Sequence, residues 1–405
     1  MYIFIGNPGM GYPVGFATTA RMRLYARGIV ETGKGVLVLC VGPSDYPNIG
    51  VVNTESEGTR DGVAFRYTCG TTVRGETFFK QKWLVLKGSW EAARQIWSLN
   101  KTGDVDGIFL YADRGVVIVF FWVVAKLCNK KYFFERNEQP FYQAEHSLFW
   151  KIVSFLYTHT LFRMFDGAIV ISDYLMGYMR KRMRAKAGLL KIPILVDVDR
   201  FSTPETQAPI PGKYMAYCGS WVESQHGMHS MMKAFAKISN EFPDLQFAMI
   251  GDSEKKSSIP TYRAYADELA ISDRMIFPGF LAGSNLISYL THASILVLTL
   301  PSGRQAQAGF PNKLGEYLAT GNPVLATKTI QIAEYLKDNY DIFLTPPDDM
   351  DAFAERLRYI MNHQDEAVRV GKRGRETALR YFDYKENGKK IRAFFDRISQ
   401  DGKEN

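Results

Sequence analysis

Short runs of consecutive apolar residues, each bounded by turn-forming positions, recur along the chain with helical spacing between them. In the first half these runs are Tyr2–Ile5, Val36–Val41, Gly107–Tyr111, Tyr132–Glu135 and Ala168–Ile171. In the second half they are Tyr214–Cys218, Gln246–Ile250, Met275–Phe277, Ile295–Thr299 and Val324–Ala326. Strands that are apolar on both faces and alternate with helices predict parallel, doubly wound sheets, and so an α/β fold with two Rossmann-like domains. The periodic pattern breaks at Ser202 to Gly212 (STPETQAPIPG), where Pro, Thr and Gln replace apolar positions. This predicts an N-terminal domain over 1–205 and a C-terminal domain over 206–385. Residues 386–405 are expected to form a helix and tail, the helix packing back toward the N-terminal domain. Two such domains predict a cleft between them, ligands at the carboxyl ends of the strands, and closure as the motion.

A length of 405 residues agrees with two domains, because single cores stop growing near ~250–300 residues. The four cysteines (Cys40, Cys69, Cys128, Cys218) have no CxxC or His-partnered spacing, which points to a reducing compartment and away from a disulfide framework or zinc site. The chain opens on an apolar strand without a basic leader or cleavage site, so no secretory signal is expected. The most apolar stretch, Gly115 to Ala125, is far shorter than the ~20 residues a membrane span needs and is expected to be a buried helix or strand, with a membrane-surface contact as the alternative. Residues 1–205 carry 26 Lys+Arg against 18 Asp+Glu, so the whole net charge of +8 lies in that half. Such a half can serve a membrane surface, a polyprenyl phosphate or nucleic acid, or be a solvated basic face. No nucleic-acid recognition motif accompanies it.

Gly309 to Thr327 carries the densest chemistry. Pro311 suits the first turn of a helix, Asn312 to Thr320 read as that helix, and Gly321 supplies a left-handed stop before the strand Val324–Ala326. A loop feeding a helix N-terminus presents free N–H groups and partial positive charge to a phosphate. Lys313 adds a full charge, and Glu316 one turn on can accept from a diol. The alternative is an ordinary Gly-Phe-Pro turn with both side chains solvated.

Other segments have two readings each. The loop from Gly6 to Gly15, containing Gly9, Gly11 and Gly15, is either a flexible cleft edge or a tight turn. Its prolines and the lack of an acidic residue after strand two exclude the dinucleotide fingerprint. Glu135 to Glu138 follow an apolar strand and face the cleft or form a solvated loop. Gly219 and Ser220 offer donors at a strand end, with His226 a loop residue beyond them. Phe277 to Phe280 line a pocket for a flat base or form a turn. The basic run Arg180 to Lys186 is a solvated helix face, or a membrane-facing one beside the aromatic helix around Phe149–Phe162.

In the order and spacing of Tyr217–Ser220, Met249–Asp252, Phe277–Phe280, Phe310–Thr327 and Glu334, the chain resembles the retaining glycosyltransferases of family 4, with a GT-B fold. Asp166–Ser172 and Val196–Phe201 are also similar to landmarks of that family. The resemblance implies that the second domain binds a nucleotide-diphosphate sugar and the first an acceptor, either a glycan or polyprenyl-linked. Donor contacts would come from Glu316, Lys313, Asn312, Phe310, Gly309, Gly219, Ser220, Phe280 and Arg304, with Gly9, Gly11 and Gly15 on the acceptor side. Neither a cofactor nor a metal is implied, and nucleic acid is not an expected partner. The chain departs from the family pattern at Ala308, where the first acid of an E-x7-E element would stand, and at Ser220–His226, which lacks the usual Arg and Lys. The usual histidine at the end of the first half's fourth strand is also missing, and Glu138 or Asn137 would take the catalytic place. The expectation is a cytoplasmic enzyme, peripheral on the inner face of the cytoplasmic membrane, acting in surface polysaccharide or glycoconjugate synthesis. A non-catalytic glycan- or lipid-binding scaffold is the alternative, favoured by Ala308.

Overall fold

The computed structural model describes residues 1–15, 17–46, 51–138, 148–202, 207–221, 227–252, 257–303 and 308–400. The chain forms two compact units: Met1–Leu195 with the stretch from Tyr384 onward, and Val196–Asp383. The division precedes the Pro-rich stretch, so the turn at 198–201 belongs to the second unit.

In the first unit the strands are β1 (Tyr2–Gly6), β2 (Val36–Cys40), β3 (Glu57–Arg60), β4 (Val63–Tyr67), β5 (Gly107–Tyr111), β6 (Lys131–Arg136), β7 (Gly167–Val170) and β8 (Gly188–Lys191). The helices are α1 (Ala17–Val30), α2 (Phe78–Lys101), α3 (Gly115–Leu127), α4 (Leu148–Leu161) and α5 (Asp173–Arg180). The sheet order is β3-β4-β2-β1-β5-β6-β7-β8, parallel except for the β3/β4 hairpin at its edge. That hairpin turns at Asp61-Gly62, both at positive φ, the geometry of an Asp-Gly type I′ turn. The apolar segment after Gly115 is the helix α3. The run after Arg180 is a turn beyond α5 and not a continuing helix, with Arg184 paired to Asp166 at 2.8 Å.

The second unit contains β9 (Lys213–Cys218), α6 (Met228–Ser239), β10 (Leu245–Ile250), α7 (Ile259–Glu268), β11 (Met275–Gly279), α8 (Gly283–Thr291), β12 (Ile295–Leu298), α9 (Lys313–Thr320), β13 (Val324–Thr327), α10 (Ile330–Tyr335), β14 (Phe343–Thr345), α11 (Met350–Asn362) and α12 (Gln364–Tyr381). Its sheet, β11-β10-β9-β12-β13-β14, is parallel throughout. Alternation of strand and helix with parallel pairing is the doubly wound arrangement the sequence predicts.

The last helix, α13 (Tyr384–Gln400), packs on α1 in the first unit. Contact is closest where Gly388 meets Gly28, since a Cβ on Gly388 would lie 2.3 Å from the Gly28 carbonyl carbon. Ile391, Phe394, Phe395 and Ile398 of α13 are buried in the same core as Phe4, Phe109 and Phe133. Phe395 stands 4.3 Å from the Phe133 ring and 5.6 Å from that of Phe109.

Candidate functional site

The carboxyl ends of β9, β10 and β11 are joined through glycine. Gly219 N–H donates to Ile250 O at 3.0 Å, and Gly251 N–H donates to Gly279 O at 2.8 Å. A Cβ on Gly251 would sit 2.1 Å from Gly219 O, so this edge closes only without a side chain there.

Helix α9 is set against this edge from two directions. Tyr317, fully buried, accepts from Cys218 N–H at 2.6 Å and so fixes the helix to the end of β9. At its other end α9 stops at Gly321 (φ 80), and α12 packs close over it through Gly371, whose Cβ would lie 2.4 Å from Gly321 O. Arg375 of α12 donates to the terminal carbonyl of Ala319 and to Ser202 Oγ at 2.8 Å, placing a cation where the helix carries partial negative charge.

At the start of α9 the Leu314 and Gly315 N–H groups donate to Pro311 O and Asn312 O at 3.0 and 3.1 Å. Asn312 occupies the cap position but makes no capping bond with its side chain. Lys313 reaches back across Gly219, donating from Nζ to Tyr217 Oη at 2.8 Å with the charge 4.5 Å from the ring centre. Tyr217 Oη donates onward to Ser220 O at 3.1 Å. A Cβ on Gly219 would lie 2.2 Å from Lys313 Nζ, so a side chain there would displace the ammonium. Burial pushes the Lys313 pKa down to about 8, against the pull of Cys218 and Glu316 in the other direction. Glu316, on the next turn, faces Arg200 at 3.9 Å, both half-exposed. A helix start, an ammonium and a carboxylate one turn away suit a diphosphate joined to a diol.

The remaining expected donor residues divide. Phe280 is 76% exposed just beyond Gly279 and free to stack a planar group. The Phe310 ring is buried against Tyr335 (5.7 Å) and Phe382 (5.6 Å), so any ligand contact there falls to its backbone and that of Gly309. Ala308 is buried. Arg304, Gln307 and His226 lie outside the described residues.

The first unit holds its own polar centre at the carboxyl ends of β1, β5 and β6. A cavity of about 290 Å³ is lined by residues including Asn7, Gly9, Tyr111, Asp113, Glu135, Asn137 and Glu138. Beneath it, Arg21 of α1 donates from Nε to Glu135 Oε1 at 2.5 Å and from its other nitrogens to Ile192 O and Pro193 O. Tyr25 donates to the same oxygen at 2.9 Å. Glu135 Oε2 and Asn7 Oδ1 are buried without a hydrogen-bond partner among the described residues. Burial pushes the Glu135 carboxyl up, and Arg21 opposes the shift. Asn137 donates to Tyr111 Oη at 2.6 Å, and Glu138 is exposed. Buried oxygens that lack a donor suit a hydroxyl-bearing ligand such as a sugar.

Of the loop glycines, only Gly9 (φ 98) lines the cavity. Gly11 and Gly15 serve the loop itself: Gly11 O accepts from Thr19 Oγ1 at 2.8 Å, and a Cβ on Gly15 would lie 2.3 Å from that oxygen. Arg74, Asn53 and Tyr67 also hydrogen-bond to the loop.

Sequence reasoning missed Tyr217, Tyr317, Arg200 and Arg21 as functional groups. One signal was present for Arg21, which shares the core-facing spacing of Met22, Tyr25 and Ile29; a charge at core spacing requires a buried partner.

Residues 212–363 match the family model described as glycosyl transferases group 1. Among relatives, WcaL of Escherichia coli (strain K12), whose name assigns it to colanic acid biosynthesis as a glycosyltransferase, is 25% identical over 218 residues, 53% of each chain. Phosphatidyl-myo-inositol mannosyltransferase of Mycobacterium tuberculosis is 26% identical over 193 residues, 47% of this chain and 48% of the relative. The chain spans about half the length of the relatives it matches. In structure it is similar to sucrose-phosphate synthase from Thermosynechococcus elongatus (TM-score 0.73, 15% identity, 98% of each chain). It is also similar to Anabaena HepE in complex with UDP and glucose (TM-score 0.70, 14% identity, 97% of this chain and 98% of HepE). The fold is GT-B, built from two Rossmann-like α/β units.

Proposed function

We propose that this chain is a retaining glycosyltransferase that moves a sugar from a nucleotide-diphosphate sugar to a glycan or lipid-linked acceptor in surface polysaccharide or glycoconjugate synthesis. The observation that carries the reading is Lys313 at the start of α9, held over Gly219 inside the segment that matches the glycosyltransferase family model. The donor diphosphate lies at the positive end of α9, against Lys313. Glu316 exchanges its contact with Arg200 for the ribose diol, and Phe280 stacks the base. As the bond from the sugar to the diphosphate breaks, the charge that develops on the leaving oxygen meets a cation and amides already in place. Preorganised charge of this kind lowers the barrier by several kcal/mol. The acceptor hydroxyl is received in the cavity of the first unit, where Asn137 and Glu138 are the catalytic candidates. HepE, whose complexes hold UDP, UDP-glucose and glucose, supports a donor of this class.

The test is a thermal-shift screen of UDP, GDP, ADP and CMP sugars, followed by transfer assays and NMR of the product anomer. Stabilisation by one sugar-nucleotide class and a product of unchanged anomeric configuration are expected. No stabilisation by any donor would remove the reading. Transfer proceeds without a metal, so turnover in EDTA is expected to equal that without it. The reading places the enzyme in the cytoplasm, peripheral on the inner face of the membrane.

A further inference from the structure

Helix α2 is inverted in side-chain size. The residues it turns inward are small or modest: Gly88, Ala92 and Ile96 are buried, and a Cβ on Gly88 would lie 2.2 Å from Val41 O. The residues it turns outward are the largest it has. Phe79 (83%), Trp83 (63%), Leu86 (62%) and Trp90 (68%) are exposed, followed by Trp97. At 100° per residue these five fall within roughly 60° of arc, a single stripe along a helix about 36 Å long. The neighbouring helix α3 continues the apolar surface with exposed Val116, Val119, Val123 and Leu127, and α4, packed on α3, adds Phe155 and Leu156. A soluble protein rarely leaves so long an apolar stripe uncovered without a partner.

Charge identifies that partner. Helices α2 and α3 carry Lys80, Lys82, Lys87, Arg94, Lys101 and Lys126 against Glu91 alone. A second copy docked face to face would bring two cationic surfaces together. An anionic lipid layer would instead attract the lysines to its headgroups while the Trp and Phe rings enter the acyl boundary. No described helix is long and apolar enough to cross a membrane, which leaves attachment in the plane of the surface.

We infer that the outward face of α2, extended by α3 and α4, is the surface by which this protein lies on an anionic bilayer. The inference rests on the peripheral placement given above and names the face responsible.

The test is flotation of the full chain with phosphatidylcholine vesicles, with and without phosphatidylglycerol, followed by tryptophan emission. Wild type is expected to float with the anionic vesicles only, with a blue shift and with loss of binding as salt rises. Trp83→Ser/Trp90→Ser is expected to reduce partitioning roughly tenfold or more and abolish the shift; Lys80→Glu/Lys87→Glu is expected to weaken binding at low salt. Both pairs are exposed, so melting temperature and sugar-nucleotide stabilisation should stay as in wild type. This separates failure here from failure of the glycosyltransferase reading. Wild type that stays with the soluble fraction, variants that float unchanged, or a self-association that only the tryptophan variant loses would each overturn the assignment.

Discussion

The two units place charge at the same topological position, the carboxyl end of a parallel sheet, and treat it in opposite ways. In the first unit the Arg21–Glu135 pair is sealed, its side chains 1% and 0% exposed. In the second the Arg200–Glu316 pair is open, 34% exposed on each side. A sealed pair must keep its partners, because losing one strands a charge in a low dielectric. An open pair is held by a fraction of a kcal/mol and can exchange its partner for a ligand. The first arrangement therefore sets architecture, whereas the second stands where a ligand can reach it.

The sharpest way to break this contrast is Arg21→Met. It strands Glu135 and two backbone carbonyls and should destabilise the protein by about 3–5 kcal/mol in urea unfolding. Arg21→Met/Glu135→Leu should recover most of that loss, and failure to recover would mean the carbonyls matter more than the charge.

In the second unit the largest effect should fall on turnover. Lys313→Ala is expected to lower it by about 10²–10³-fold, or about 2.7–4 kcal/mol, with the melting temperature preserved. Gly219→Ala would push the ammonium off Tyr217 and should lower turnover by up to about 10²-fold.

Titration of Lys313 gives two slopes of opposite sign. Its folded pKa of about 8 lies below the free-lysine value. Between those two values the unfolded chain binds more protons, so the stability of the unliganded protein rises with pH across that window. Binding of a nucleotide diphosphate needs the charged amine and should weaken as pH passes 8. Calorimetry with UDP across that range checks it, and Lys313→Ala should flatten both curves. The smallest effect belongs to the open pair: Glu316→Gln should change stability by less than about 1 kcal/mol while weakening donor binding.

Local signals in the sequence were the legible ones. Pro311 and Gly321 bracket α9, which starts one residue later than the pattern suggests, with Asn312 as its cap. The doubly apolar strands are legible for the same reason. β3, β4 and β8 are not: an edge strand such as Glu57-Gly58-Thr59-Arg60 has no apolar face to announce it, and β4 is interrupted by Arg66. β14 is only three residues long. The cavity of the first unit was only half legible. Asn137 and Glu138 are read from their place after β6, but the groups that build the site come from distant parts of the chain: Arg21 and Glu135 are 114 positions apart. The burial of the Phe310 ring was not legible because its partners, Tyr335 and Phe382, lie 25 and 72 positions further along the chain.

Because α13 supplies Ile391, Phe394, Phe395 and Ile398 to the core of the first unit, the order of synthesis does not match the order of assembly. All of Val196–Asp383 leaves the ribosome before the residues that complete the N-terminal core. The middle of the protein can mature first, and the unit begun earliest is finished last. A nascent chain stalled before Tyr384 would hold one complete unit and one with an open seam along α1.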